Sequence, residues 1–187
     1  MSLLGISLTD AKHYEDALSV QEAELSMTRR LGASEESILA TQSNIASTYQ
    51  ALGRIEEALN LYRDVYSEEL KLFGRQNRQT LSSANNYAMT LLDLRRFEEA
   101  KKVLRKVTPV SQRVLGTEDE QTLSLREDFA RAILGGESSA EEKREALQTL
   151  EEVAGVMRRV LGPAHPETLH AQEELGIYRQ KLSVEGV

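Results

Sequence analysis

The sequence predicts an all-α fold, an array of stacked antiparallel helix pairs, and three observations predict it. The first is a phrase written four times: LGASEESIL at 31–39, FGRQNRQTL at 73–81, LGTEDEQTL at 115–123 and LGPAHPETL at 161–169. Its glycines, Gly32, Gly74, Gly116 and Gly162, are spaced by 42, 42 and 46 residues. A period in this range marks a repeat architecture rather than one globular core. The second is a set of anchors between the glycines: HYEDAL (13–18), RIEEAL (54–59), RFEEAK (96–101) and KREALQ (143–148), carrying Ala17, Ala58, Ala100 and Ala146. The third is composition. Abundant Ala, Leu, Glu, Arg and Gln, with 40% apolar residues and three prolines in 187 residues, favour helix and argue against a disordered chain.

The elements follow in order. Residues 1–32 are read as a truncated first pair, because LLGISLTDAKHY (3–14) aligns with NIASTYQALGRI (44–55) and places the start inside a first helix. Full pairs are expected at 33–74, 75–116 and 117–162, and 163–187 as a single capping helix, for about nine helices. First helices resemble TLSSANNYAMTLLDL (80–94). Second helices resemble IEEALNLYRDVYSEELKLF (55–73), where Ala58, Leu61, Tyr62, Val65, Leu70 and Phe73 keep helical spacing. The repeated phrase is then the joint between pairs. Its glycine suits a left-handed C-cap, and Asn77 and Asp119 stand where a side-chain oxygen caps the next helix. Pro166 suits a first helical turn, which has no use for the missing N–H. The insertion GGESSAEEKREA (135–146) explains the spacing of 46: Gly135 and Gly136 end one helix, and Ser138 or Ser139 caps the next.

Small residues recur where paired helices would touch. Ala46, Ala88 and Ala130 lie in first helices, Gly5 and Gly176 at equivalent positions near the two ends, and Ala58, Ala100 and Ala146 in second helices. Close approach needs them small, so Ala88→Leu should overpack its pair and cost about 1–3 kcal/mol, read by thermal unfolding.

Composition and motifs exclude several function classes. A net charge of −7 leaves no basic footprint, so nucleic acid is not an expected partner. No apolar run approaches the length of a membrane span, and MSLLGISLTD lacks the basic start of a signal peptide; an intracellular, cytoplasmic protein is expected. The absence of cysteine removes disulfide and thiol chemistry. His13, His165 and His170 read as exposed turn residues with no zinc-ligand spacing, and the glycine pair at 135–136 lacks a phosphate-loop context. Glu56-Glu57 and Glu98-Glu99 fall in first helical turns, where they complement the helix dipole. No catalytic, cofactor-binding or metal-ligating residue is assigned, and an enzyme is not expected.

These residues carry a family resemblance. SNIASTYQALGRIEEAL (43–59), NNYAMTLLDLRRFEEAK (85–101) and the LGPAHPETL joint resemble tetratricopeptide repeats, in the 42-residue form of kinesin light chains. The resemblance covers essentially the whole chain. It implies a right-handed superhelical solenoid serving as a protein-interaction scaffold. The copies also depart from the family wording: only the fourth joint keeps His-Pro, and Gly53 in one copy is Arg95 in the next.

A stacked array offers an extended concave surface lined by first helices. The position five residues after the joint leucine holds Asn44, Asn86, Asp128 and Glu174. In the resembled repeats an Asn here bonds the backbone of a bound peptide, since an amide both donates and accepts. Helical neighbours add Thr41 and Thr48, Ser83 and Thr90, then Leu125 and Ala132, with Arg126 and Arg131 flanking. The candidate groove residues are therefore Asn44, Asn86, Asp128, Thr41, Thr48, Ser83 and Thr90, and the expected partner is another protein or a peptide. Ala40, Ser82 and Ser124 stand where a carboxylate clamp would need Lys or Arg, so a C-terminal carboxylate is not the expected ligand. The alternatives are a structural subunit of a larger assembly, a kinesin-light-chain-type cargo adaptor, and a targeting segment of a longer multidomain protein. The apolar start at Leu3, Leu4 and Ile6 adds possible self-association through the N-terminal helix.

Overall fold

The computed structural model describes residues 13–185. All regular secondary structure among them is α-helical: α1 Tyr14–Arg30, α2 Glu35–Ala51, α3 Ile55–Leu72, α4 Arg78–Asp93, α5 Phe97–Leu115, α6 Glu120–Gly135, α7 Ala140–Val160 and α8 Pro166–Glu185. That is eight helices where about nine are expected. The remaining one, with Leu3, Leu4, Gly5 and Ile6 and the self-association assigned to them, falls outside the described residues. The chain divides into two compact units, residues 1–90 and 91–187.

Two kinds of helix start occur along the chain. α2, α4, α6 and α7 begin on side-chain caps. Ser34 Oγ accepts from Ser37 N at 3.3 Å, Asn77 Oδ1 from Gln79 N at 2.8 Å, and Asp119 Oδ1 from Gln121 N at 3.1 Å. In the insertion, Ser139 is the residue that caps. Its hydroxyl accepts from Glu142 N at 3.2 Å while Glu142 Oε2 accepts from Ser139 N at 2.8 Å, a reciprocal box that holds the Glu142 carboxyl below its ordinary range. Ser138 instead accepts from Lys101 Nζ at 3.2 Å. α3 and α5 start without a side-chain cap and use an arginine clasp. Arg54 Nε donates to Glu57 at 2.9 Å, and Arg96 donates through Nε and Nη2 to the two oxygens of Glu99 at 2.7 and 2.9 Å. The paired glutamates of the EEA wording thus serve the helix start.

The joint glycines take the conformation their position demands. Gly32, Gly53, Gly74, Gly116 and Gly162 all have φ between +65° and +98°. Arg95, the residue that replaces the glycine found at 53, is forced to φ +58°. That conformation costs an L-residue about 1–2 kcal/mol. Its guanidinium lies 5.6 Å from the centroid of the Phe97 ring, a contact that offsets part of the cost.

In the first unit, α1 packs on α2 and α2 on α3. Ala46 and Ala58 are fully buried and form one cluster with Tyr62, with Tyr49, Leu61 and Tyr87 packed against it. The small residues therefore sit at the helix contact, and the aromatic residues fill the space beside them.

In the second unit, α5 packs on α6, α6 on α7 and α7 on α8. Leu123, Val153, Ala154, Met157 and Ala171 form one buried cluster, and Ala130, Leu134, Ala146, Leu150 and Leu182 another. Gly135 does more than end α6. A Cβ there would lie 2.4 Å from Phe97 Cε1, so the aromatic ring of the EEA anchor occupies the space a side chain would need. Gly176 differs from Ala130, its equivalent in α6: it is exposed, with open space around an added Cβ, so helix contact does not require a small residue there.

Pro109 lies inside α5 on its exposed side. It removes one backbone donor and crowds the preceding turn. Pro109→Ala should therefore stabilise the second unit by about 1–3 kcal/mol, measured as a rise in the denaturant midpoint at an unchanged slope.

Candidate functional site

The candidate groove residues of the first unit lie on α2 and α4 and separate into two groups. The hydroxyl residues are buried and internally bonded. Thr41 donates to Ser37 O at 3.0 Å, and Thr48, 1% exposed, meets Gln21 Oε1 at 2.8 Å and Asn44 O at 3.1 Å. Thr90, fully buried, donates to Asn86 O at 2.8 Å and accepts from Gln50 Nε2 at 3.3 Å. Ser83 hydrogen-bonds the carboxylate of Glu69, as does Gln79. These four hydroxyls are spent within their own helix or on the neighbouring one. Asn44 and Asn86 are only half-buried, and neither side-chain amide hydrogen-bonds another described residue. Of the candidate groove residues on α2 and α4, it is therefore the two amides that are on offer.

Glu69 was not legible as a special residue in the sequence. It lies in α3, is 1% exposed, and burial pushes its carboxyl up despite the bonds from Ser83 and Gln79. Helical spacing marks the position as inward-facing. A glutamate there reads as surface only because glutamate usually is surface.

The second unit is different in kind. Asp128, at the position held by Asn44 and Asn86, is 4% exposed and accepts from Arg131 Nη1 at 2.9 Å. Burial pushes its carboxyl up to about 6 against the opposing pull of Arg131. Arg131 also places Nε 3.2 Å from Glu174 Oε2 on α8, without the alignment of a hydrogen bond. Leu125 and Ala132 are fully buried, and Arg126 donates to Glu152 of α7 at 3.0 Å. Both arginines expected to flank an open groove are thus engaged with carboxylates of their own unit.

The neighbour of Asp128 matters more than the sequence suggested. Glu127 is 3% exposed, and its Oε1 is buried without a hydrogen-bond partner. Burial first, and the adjacent Asp128 second, push its carboxyl up to about 8. His170 Nε2 on α8 lies 3.6 Å from that oxygen. Of the two histidines expected as exposed turn residues, His165 stands in the turn but is half-buried, and His170 is exposed but lies in a helix. His165 Nδ1 accepts from Glu167 N at 3.3 Å and caps α8, while His170 lies within α8 with 47% of its side chain exposed. The four-residue spacing of His170 and Glu174 is the available signal, since it places both on one helix face.

Among the described residues, no three His, Asp or Glu side chains converge as metal ligands, and no helix is long and apolar enough to cross a membrane.

Helix pairs with small residues at their contacts, glycine joints and a 42-residue period define a helical-repeat protein. Models of the tetratricopeptide repeat match residues 1–67 and residues 80–121 and 137–167. The chain belongs to the tetratricopeptide-repeat family, whose arrays are scaffolds for protein–protein interaction. Among solved structures it is similar to two forms of a Podosopora anserina protein described as having nearly identical TPR-like repeats of the kinesin light chain kind. Each is 24% identical, with 96% of this chain and 83% of that one covered, at TM-scores of 0.78 and 0.75. It is also similar to BtubC (BKLC) of P. vanneervenii, at 16% identity, 97% and 79% coverage and a TM-score of 0.64. These likenesses establish the fold, with repeats of the kinesin-light-chain form. A comparison with curated protein sequences finds no match. Residues 122–136, which neither repeat match covers, include Glu127, Asp128 and Arg131.

Proposed function

We propose that the chain is a non-catalytic scaffold, working in the cytoplasm, that binds an extended segment of another protein along the first helices of its pairs. The observation that carries this reading is the contrast on α2 and α4. Thr41, Thr48, Ser83 and Thr90 spend their hydroxyls internally, whereas the amides of Asn44 and Asn86, 42 residues apart, are half-exposed and not hydrogen-bonded to another described residue. A polar amide held on a rigid helix without an internal partner suits a peptide backbone, whose N–H and C=O groups both need partners.

The test is a pull-down from the source cell extract with the wild type and an Asn44→Ala/Asn86→Ala variant, after circular dichroism shows equal helicity. Loss of two charge-neutral hydrogen bonds should weaken the retained partner by roughly tenfold or more. A partner held equally by both proteins refutes the groove reading.

A second reading, a structural subunit docked on another chain, is favoured by one observation. The outer face of α8 carries Leu169, Ile177 and Val184 at 52%, 51% and 85% exposure, where a capping helix would be polar.

A further inference from the structure

The acidic cluster between α6 and α8 is short of cations. Glu127, Asp128 and Glu174 gather around Arg131, which is already bonded to Asp128. Glu167 on α8 adds further negative field, and the His170 imidazole faces Glu127 from α8. A merely structural network would satisfy its members. Here Oε1 of Glu127, on a side chain 97% removed from solvent, has no hydrogen-bond donor. A buried carboxylate in that condition is costly unless it takes up a proton or meets a cation.

We propose that this cluster receives a lysine or arginine side chain of the bound segment, entering at His170 and pairing with Glu127 and Glu174. The proposal deepens the groove reading by fixing the chemistry of the partner at the second unit: a basic segment. His170 is half-exposed and 3.6 Å from Glu127, so it is the side chain that an arriving cation displaces. The proton balance is explicit. Glu127 enters as the neutral acid, its proton passes to the buffer, and the resulting carboxylate accepts the hydrogen bonds of the ammonium or guanidinium. Glu127 lies in the stretch of α6 that neither repeat match covers, and Glu174 and His170 lie on α8 beyond the last matched residue.

The test uses the full chain and two probes, an alternating lysine–serine decapeptide and its glutamate–serine counterpart, in isothermal titration calorimetry. The lysine peptide should bind and the glutamate peptide should not. An E127Q/E174Q variant should lose about tenfold or more in affinity. E141Q/E145Q, which removes at least as much negative charge from the exposed face of α7, should stay within about twofold and so controls for general attraction to an acidic protein. Wild-type binding at pH 7 should be more exothermic in Tris than in phosphate, because the released proton is taken up by the buffer. That readout needs no variant to fold. Equal weakening by the two double variants, equal binding of the two peptides, or equal enthalpies in the two buffers would each overturn the proposal. The groove reading is tested on Asn44 and Asn86 in the first unit, so either reading can fail without the other.

Discussion

Raising the pH from 5 to 8 should destabilise the second unit by roughly 2–5 kcal/mol, the opposite of ordinary acid denaturation. The sign follows from Glu127 and Asp128. Their carboxyls are pushed up to about 8 and about 6 in the folded state, from ordinary values of 4.5 and 3.8. Between the unfolded and folded values the folded chain holds more protons than the unfolded one, so stability falls as pH rises through that window. For Asp128 the loss is complete a little above pH 6, and for Glu127 a little above pH 8. Glu127→Gln replaces the neutral acid with an amide of the same shape. It should leave stability at pH 5 nearly unchanged and restore most of the loss at pH 8. Hydrogen exchange in α6 and α8 as a function of pH measures this locally, which matters because repeat arrays need not unfold in one step. A pH-independent exchange rate constant for closed-state opening in α6 would contradict it.

Leu150→Ala should cost about 2–5 kcal/mol and loosen α8 before it loosens α5. Leu150 is fully buried in α7 and packs with Ala130 and Leu134 of α6 and with Leu182 of α8. Truncation leaves a cavity bounded by three helices, and backbone closure is resisted by helices already in contact through Ala130 and Ala146. Exchange at 166–185 should rise more than exchange at 97–115. Leu169→Ala, at a position 52% exposed on α8, should change stability by no more than about 0.5 kcal/mol.

What was legible in the sequence was whatever the period enforces. The glycine joints, the caps at Asn77 and Asp119 and the small residues at 46 and 58 recur because each pair faces the same geometric problem, and repetition makes a local rule visible. Arg95 shows the same rule by exception: the position demands a left-handed backbone whichever residue stands there. The cluster around Glu127 was not legible for the complementary reason. It exists once, it depends on α8 bringing His170 and Glu174 against α6, and glutamates on helices ordinarily face water. Spacing puts the hydroxyls of Thr48 and Thr90 on first helices but does not reveal whether a hydroxyl is open to a ligand or already spent on a backbone carbonyl one turn away. Helix phase gives the face; the partner of each polar group needs the fold.

The central claim is that recognition uses the first helix of each pair. Hydrogen exchange on the full chain, with and without the partner it retains, tests this most directly. Binding along the first helices slows exchange in 35–51, 78–93 and 120–135 with little change in 55–72, 97–115 and 140–160. Protection concentrated in the second helices, or confined to the apolar outer face of α8, would contradict it.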